Sequence, residues 1–232
     1  MILYAIPTPL GGSVEDALAP SALKTVRGLK DFVAENAKSA RAFLAAAGCK
    51  PRELAITELN EHTPQAEVAS LLEPLRQGRA LGLLSEAGCP AIADPGAALV
   101  EAAHREGFRV VPLIGPSSIV LALMASGLEG QRFAFCGYLP REAADRTRKI
   151  RELEARSRRE RETEIFIETP YRNDALFSAL IETCRVDTRL CIAADLTLAT
   201  QSVTVKTIEA WRQAKVAIGR RPAVFLLLAE HR

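Results

Sequence analysis

The sequence predicts an α/β fold divided into two domains, on three observations. Short apolar runs alternate with segments of helical period through the first half of the chain, the pattern of a mostly parallel sheet. Two of these runs end in loops of glycine, proline and small side chains, where α/β proteins bind ligands. After residue 117 the apolar runs take on the closer spacing of hairpins towards the end. We therefore predict an N-terminal α/β domain over residues 1–113 with a mostly parallel sheet, and a C-terminal α/β domain over residues 114–232 with a mixed sheet.

In the first domain, strand and helix are predicted to alternate. Strands are expected at residues 1–6, 31–35, 54–58, 80–84 and 110–114. Helices are expected at residues 20–28, 39–47, 64–77 and 97–105. The 64–77 segment has its apolar side chains on one helical face, at Val68, Leu71, Leu72 and Leu75. Because helices that connect parallel strands pack on the sheet, both of its faces are expected to be covered.

The second domain is predicted to begin with a helix over residues 119–126, which ends at Gly127. Strands are expected at residues 132–139, 164–168, 190–194 and 222–228, with an edge strand and a helix start within 204–211. Residues 141–161 hold nine Lys or Arg against five Asp or Glu, mostly in helical period. This basic segment is interpreted either as a solvated helix or as a surface for phosphate groups.

Composition narrows the function classes. The net charge of +2 over 232 residues does not by itself indicate a nucleic-acid partner. The five cysteines form no CxxC pair and the three histidines are scattered, so we expect free thiols and no metal site. No apolar run reaches the length of a membrane span, and the first residues lack the basic start of a signal peptide. These features predict a cytoplasmic protein outside the membrane.

Two loops of small residues follow successive predicted strands. One covers residues 85–96, and the other is Gly115-Pro116-Ser117-Ser118. Small side chains let a ligand approach the backbone, and glycine accepts positive φ angles that strain other residues. Since such loops lie outside the carboxyl ends of the strands, we predict that both serve one ligand pocket.

Four motifs occur in a fixed order along the chain: SEAGCPAIADPG, VVPLIGPSSIVLALMASGL, RFAFCGYLP and IFIETPYRN. Together with the Pro7-Thr8-Pro9 loop they strongly resemble the tetrapyrrole methylase superfamily, from Ile6 to about Leu228. Within it the chain is similar to the branch that methylates ribose 2′-hydroxyls of small-subunit ribosomal RNA, as a short variant without the extra C-terminal module. The resemblance implies an α/β fold of two domains with S-adenosylmethionine in the cleft between them, in a homodimer.

The resemblance also implies which residues contact S-adenosylmethionine. The first loop would form a wall near the methionine end, the loop after residue 84 corresponds to a Gly-Gly-Asp loop of the porphyrin enzymes, and a Ser-Ser pair would meet the adenosine. Two further positions lie in the second domain. The implied cofactor contacts are Pro7, Leu10, Ala87, Gly88, Cys89, Ile92, Ser117, Ser118, Glu168 and Leu196. Backbone groups can make most of these contacts, so small size matters more than side-chain identity.

The catalytic candidates are Glu35 and Lys38, which follow the second predicted strand at the mouth of the implied cleft. Methyl transfer from a sulfonium is an in-line displacement that depends on alignment of the acceptor. A ribose hydroxyl is a poor nucleophile near neutral pH, so a base or a nearby cation would assist it. The alternative interpretation is a solvated helix start capped by Glu35 or Asn36. Asp94 is interpreted as a turn residue and Cys89 as a small packing residue.

The identity of the methyl acceptor is the open part of the prediction. The RNA branch carries Glu-Asp-Thr-Arg where this chain has Glu35-Asn36-Ala37-Lys38, and Asp in place of Glu86. Tyr171 and Arg172 follow a strand in the second domain and are expected to face either the acceptor or the dimer partner.

RNA, as small-subunit rRNA, is the leading substrate hypothesis. The alternatives are a methyltransferase of a tetrapyrrole or another small molecule, and a catalytically silent homologue that keeps the cofactor pocket. An ordinary Rossmann oxidoreductase is disfavoured, because no GxGxxG follows the first strand.

Overall fold

The structure is a computed structural model that describes residues 1–214 and 216–230. The chain divides into two compact units, Met1–Ser117 and a second that begins at Ser118. Each unit has a five-stranded sheet with helices packed against it, so the predicted α/β class is confirmed. No helix within the described residues combines the length and the apolarity needed to cross a bilayer.

The first unit alternates strands and helices as predicted. In chain order its elements are β1 (Ile2–Ile6), α1 (Val14–Ala17), α2 (Pro20–Gly28), β2 (Asp31–Ala34), α3 (Ala37–Ala46), β3 (Ala55–Glu58), α4 (Gln65–Val68), α5 (Glu73–Arg76), β4 (Leu81–Leu84), α6 (Ala97–Arg105) and β5 (Arg109–Pro112). Their order in the sheet is β3-β2-β4-β1-β5, and every neighbouring pair is parallel. Because β1 lies between β4 and β5, the segments that follow these strands leave the same edge of the sheet side by side.

The sheet of the first unit is buried on both faces. Leu83 and Leu84 are neighbours on β4, so their side chains point to opposite faces. Leu84 belongs to a buried cluster with side chains of α2 and α3, whereas Leu83 belongs to a cluster with Leu99 of α6. The predicted covering of both faces is therefore confirmed for this sheet.

The predicted helix over residues 64–77 is broken. A 3₁₀ segment, Ala69–Leu72, separates α4 from α5. Pro74 explains the interruption, because a proline inside a helix has no N–H to donate and clashes with the carbonyl four residues earlier. The new helix begins at Glu73, which places Pro74 in the first turn, where a missing donor costs nothing.

The second unit has a mixed sheet. In chain order its elements are α7 (Ser118–Ser126), β6 (Phe133–Tyr138), α8 (Ala143–Glu160), β7 (Thr163–Ile167), α9 (Asn173–Thr183), β8 (Arg189–Ala194), β9 (Ser202–Thr207), α10 (Ile208–Gln213) and β10 (Ala223–Leu228). Their order in the sheet is β6-β7-β10-β8-β9. The β6–β7 pair is parallel, and the other neighbours are antiparallel.

The core of the second unit contains a helix that the sequence interpretation missed. α9 buries Leu176, Phe177 and Leu180, a helical spacing that follows directly after the polar pair Asn173-Asp174. The ring of Phe177 meets Trp211 of α10 edge to face, with 5.4 Å between their centroids. The apolar period of this helix is present in the sequence, directly after the motif IFIETPYRN.

Candidate functional site

Two backbone hydrogen bonds join the loop after β1 to the loop after β4. The N–H of Thr8 donates to the carbonyl of Gly88 at 2.9 Å, and the N–H of Gly88 donates to the carbonyl of Thr8 at 3.0 Å. Two hydroxyls support this bridge: Thr8 Oγ1 donates to the Ser85 carbonyl at 3.3 Å, and Ser85 Oγ donates to the Gly88 carbonyl at 3.1 Å. Thr8 and Ser85 are both buried, so the hydrogen bonds that join the two loops are shielded from water.

The loop after β5 joins the same junction. The Cys89 thiol donates to the Pro116 carbonyl at 3.4 Å. A Cβ placed on Gly88 would lie 3.4 Å from Leu10 Cδ2 and 3.9 Å from the Pro116 oxygen. The structure therefore brings together Leu10, Gly88 and Cys89, three of the residues assigned to the cofactor. We refer to residues 7–10, 85–90 and 115–117 as the three-loop junction.

The remaining predicted cofactor residues of the first unit lie at or beside this junction. Pro7 is buried and packs against Gly115 so closely that a Cβ on that glycine would overlap the Pro7 side chain. Ala87 is exposed, and Ile92 is 49% exposed although it is a large apolar side chain. Ser117 ends the first unit, and Ser118 begins α7 of the second.

The segment that follows the junction adopts an unusual backbone. Ala91 and Ala93 have φ angles of 67° and 65°, on either side of the exposed Ile92. An alanine in this left-handed region costs about 1 kcal/mol relative to its ordinary conformation. Such backbone persists where the surroundings determine it, and it occurs often at binding sites. Sequence reasoning missed this signal because an Ala-Ile-Ala run shows no need for positive φ.

Three carboxyl groups interact at the same edge of the sheet. Glu35 follows β2, Glu86 follows β4, and Asp94 lies farther along the same loop. Burial, and then the charge of Glu86, raise the pKa of Glu35 above its usual range. Burial raises the pKa of Asp94 to about 6, and the charges of Glu35 and Glu86 add to the effect. The structure therefore places Glu35 near enough for its charge to act on Asp94, whose pKa is raised to about 6.

The structure places the other catalytic candidate, Lys38, in the first turn of α3. Asn36 caps this helix, since its Oδ1 accepts from the N–H of Lys38 at 2.8 Å and of Ser39 at 3.2 Å. The side chain of Lys38 is exposed and, within the part of the chain that the structure describes, forms no ion pair. Of the two capping residues considered, Asn36 makes the cap and Glu35 does not.

In the second unit the two predicted cofactor residues lie at one edge of the sheet. Glu168 follows β7 and Leu196 follows shortly after β8. Both strands run antiparallel to β10, which separates them, so they are parallel to each other and end on the same side. Leu196 is 8% exposed and lies between Asp195 and Thr197, whose φ angles are 52° and 74°.

Glu168 is a buried carboxylate with several partners. Its Oε1 accepts from the Thr169 N–H at 2.6 Å and from the Thr169 hydroxyl at 3.2 Å, and it pairs with Arg172. A buried carboxylate needs such partners because an unpaired charge is costly away from water. Within the described ranges 1–214 and 216–230, no cluster of His, Cys, Asp and Glu has an arrangement that could hold a metal.

Comparison with known proteins identifies the family. The model of the tetrapyrrole (corrin/porphyrin) methylases matches residues 3–211. The chain belongs to this family. The loops of these motifs follow β1, β4, β5 and β7, at the strand ends described above, and the motif RFAFCGYLP contains β6 itself.

Curated relatives in this family carry the name ribosomal RNA small subunit methyltransferase I. The protein from Escherichia coli O157:H7 is 35% identical over 170 residues, which cover 73% of this chain and 56% of the relative. The protein from Haemophilus influenzae is 32% identical over 212 residues, covering 91% of this chain and 72% of the relative. The protein from Bacillus subtilis is 34% identical over 198 residues, covering 84% and 64%. The matched region thus spans between about half and three quarters of the length of these relatives.

Solved structures of the same fold extend the comparison. The methyltransferase CobJ has a TM-score of 0.66 at 18% identity, covering 98% of this chain and 93% of that chain. Diphthine synthase has a TM-score of 0.66 at 16% identity, covering 99% and 90%. At this identity the likeness concerns the fold, and it confirms the predicted tetrapyrrole methylase type.

Proposed function

We propose that the protein is an S-adenosylmethionine-dependent methyltransferase whose acceptor is RNA, most specifically a ribose 2′-hydroxyl of small-subunit ribosomal RNA. The family assignment supports methyl transfer. The relatives named ribosomal RNA small subunit methyltransferase I match 73 to 91% of this chain, which supports RNA as the acceptor. We further propose that it acts in the cytoplasm as a homodimer.

The three-loop junction is the observation that carries the cofactor proposal. The Thr8–Gly88 bridge fixes the backbone of two loops, and small side chains leave that backbone open to a ligand. We assign the contacts with S-adenosylmethionine to residues at or beside the junction and to two residues of the second unit. The assigned residues are Pro7, Leu10, Ala87, Gly88, Cys89, Ile92, Ser117, Ser118, Glu168 and Leu196.

For methyl transfer, the protein must align the acceptor hydroxyl with the methyl group and remove the proton of that hydroxyl. S-adenosylmethionine supplies an activated methyl group, and the residues that surround it orient the acceptor and exclude water. Glu35 is the proposed base, because its raised pKa makes its carboxylate a better proton acceptor than an ordinary glutamate. Lys38 is the proposed cation, placed three residues farther along the chain at the start of α3.

Calorimetry with S-adenosylhomocysteine tests the cofactor assignment, and absence of heat at millimolar ligand would exclude it. Transfer of labelled methyl from S-adenosylmethionine to small-subunit rRNA, followed by mapping of ribose methylation, tests the acceptor. A parallel reaction with a tetrapyrrole in place of RNA tests the main alternative, a small-molecule acceptor. Cofactor binding without transfer to either acceptor would indicate the silent homologue, and sedimentation reports the oligomeric state.

A further inference from the structure

Tyr171 exposes an aromatic ring shortly after β7, an inner strand of the second sheet. It lies on a 3₁₀ turn, Pro170–Arg172, between β7 and α9, and 68% of it is accessible to solvent. The guanidinium carbon of Arg172 lies 5.7 Å from the centre of the ring, within the range of a cation–π contact. The ring of Tyr171 therefore contacts the guanidinium of Arg172, while most of the residue faces solvent.

Hydrogen bonds to Thr169 and Glu168 hold the guanidinium of Arg172 in place. Its Nε donates to the Thr169 hydroxyl at 3.0 Å, and its Nη2 donates to Oε1 of Glu168. The side chain of Glu168 is 1% exposed and that of Arg172 is 18% exposed, so this pair is shielded from water. A charge-assisted bond in such a place holds the guanidinium in one position. The ring of Tyr171 consequently rests on a fixed group, which reduces the entropy that binding would cost.

The residues just after this turn are hydrogen-bonded to a loop that carries a second cation, Arg220. Asn173 donates from Nδ2 to the carbonyls of Gly219 and Arg221 at 3.1 and 2.7 Å. Asp174 Oδ1 accepts from the N–H groups of Ile218 and Gly219 at 2.7 and 3.2 Å. The start of α9 is therefore hydrogen-bonded to the segment that carries Arg220. The side chain of Arg220 is exposed and has no ion-pair partner among residues 1–214 and 216–230.

We propose that Tyr171 is a stacking platform for an unpaired base of the RNA substrate, with Arg220 beside it to contact the phosphate backbone. This inference rests on the proposed function, since it specifies how that acceptor is held. Every nucleobase presents a π face, and exposed aromatic rings beside cations are the means by which proteins bind single-stranded nucleic acid. A paired base in a duplex offers no free face, so the platform selects an unpaired segment.

The test uses the full-length protein and a fluorescently labelled single-stranded RNA of mixed sequence. Tyr171→Ala is expected to weaken binding about tenfold, the usual effect of losing one base–aromatic stack. Tyr171→Phe keeps the ring and is expected to bind like the wild type. Phe133→Ala removes another exposed aromatic side chain, on β6, and is the control that should change little. A duplex of the same sequence should be insensitive to Tyr171→Ala.

An RNA in which abasic sites replace the bases separates stacking from charge. If Tyr171 stacks, the wild type loses affinity for the abasic RNA, and Tyr171→Ala adds no further loss. Equal affinity of the wild type and Tyr171→Ala for the intact RNA would overturn the platform. So would a change in sedimentation without a change in RNA affinity, which would assign Tyr171 to a protein interface.

The same measurements keep this inference distinct from the proposed function. Failure of the wild type to bind or methylate any RNA, with S-adenosylhomocysteine still bound, would overturn both. If the wild type and Tyr171→Ala methylate RNA with the same KM, the stacking role of Tyr171 is wrong and the proposed function stands.

Discussion

Thr8 and Gly88 exchange two backbone hydrogen bonds although they are eighty positions apart in sequence, and this short bridge connects the ends of β1 and β4. Neither bond uses a side chain, so the bridge constrains conformation more than residue type. Gly88 has a φ of +80°, which glycine adopts without strain. The junction proposed to hold the cofactor thus depends on backbone geometry.

Gly88→Ala should reduce both stability and cofactor affinity. An alanine here would have to adopt the left-handed backbone of Gly88, at a cost of about 1 kcal/mol, and its Cβ would lie 3.4 Å from Leu10 Cδ2. Gly78→Ala is the matched control, because Gly78 has a φ of +84° and no neighbour within 4 Å of the added Cβ. Both variants should lose similar unfolding free energy in denaturant, whereas calorimetry should show weaker S-adenosylhomocysteine binding for Gly88→Ala alone. Gly88→Val should abolish that binding, and retained affinity would remove this loop from the site.

Gly115→Ala should destabilise the first unit by crowding. The added Cβ would overlap the Pro7 side chain and lie 2.9 Å from Leu18 Cδ2. Overpacking of this kind costs about 1–3 kcal/mol. Gly130→Ala is the control, since a Cβ at Gly130 meets nothing within 4 Å. Equal midpoints of urea unfolding for the two variants would contradict the close approach of Gly115 to Pro7.

Asp94 should make stability fall as the pH rises. Its pKa is raised from 3.8 to about 6 in the folded protein. Between these values the folded state holds a proton that the unfolded chain has released, so stability declines up to about pH 6 and stays lowered above it. Asp94→Asn removes this titration. The variant should therefore melt at a higher temperature than the wild type at mildly alkaline pH, and the difference should fade as the pH approaches 4. A difference independent of pH would contradict the raised pKa of Asp94, whose largest cause is burial.

Breaking the buried ion pair of the second unit should be strongly destabilising. Glu164 on β7 has no exposed side-chain surface and pairs with Arg156 of α8, whose Nε donates to Glu164 Oε1 at 2.7 Å. Arg156→Met leaves an unpaired buried carboxylate, at a cost of about 3–5 kcal/mol. Replacing both residues, as Arg156→Met with Glu164→Leu, should recover much of that loss in guanidinium unfolding. A double variant no more stable than Arg156→Met would show that the pair is not the cause.

The Cys136 thiol reports on the same pair. It donates to Glu164 Oε2 at 3.2 Å, and burial together with this bond raises its pKa to about 11. The thiol should therefore react slowly with alkylating reagents at neutral pH in the wild type. Faster modification in the folded double variant, measured by mass spectrometry, is the expected result.

Several parts of the site could be predicted because they depend on local residue type. The loop that carries Gly88 and Cys89 was predicted from small residues after an apolar run, whereas Pro7 was assigned from the family resemblance, and the structure joins the two loops. The Thr8 bridge was not predicted, because it depends on which strands are neighbours in the sheet. Asp94 was assigned to a turn for the same reason, since its interaction with Glu35 arises across β2 and β4. Burial and neighbouring charge are properties of the folded chain.

The sequence by itself determined the α/β alternation, the family and the loops that carry its motifs, because hydrophobic period and small residues act over short stretches of chain. The tertiary structure decided the strand order β3-β2-β4-β1-β5, which sets the loops after β1, β4 and β5 side by side. It also decided that Tyr171 remains exposed beside Arg172, which pairs with the buried Glu168. These features depend on contacts between distant segments, which form when the apolar faces of both sheets are buried.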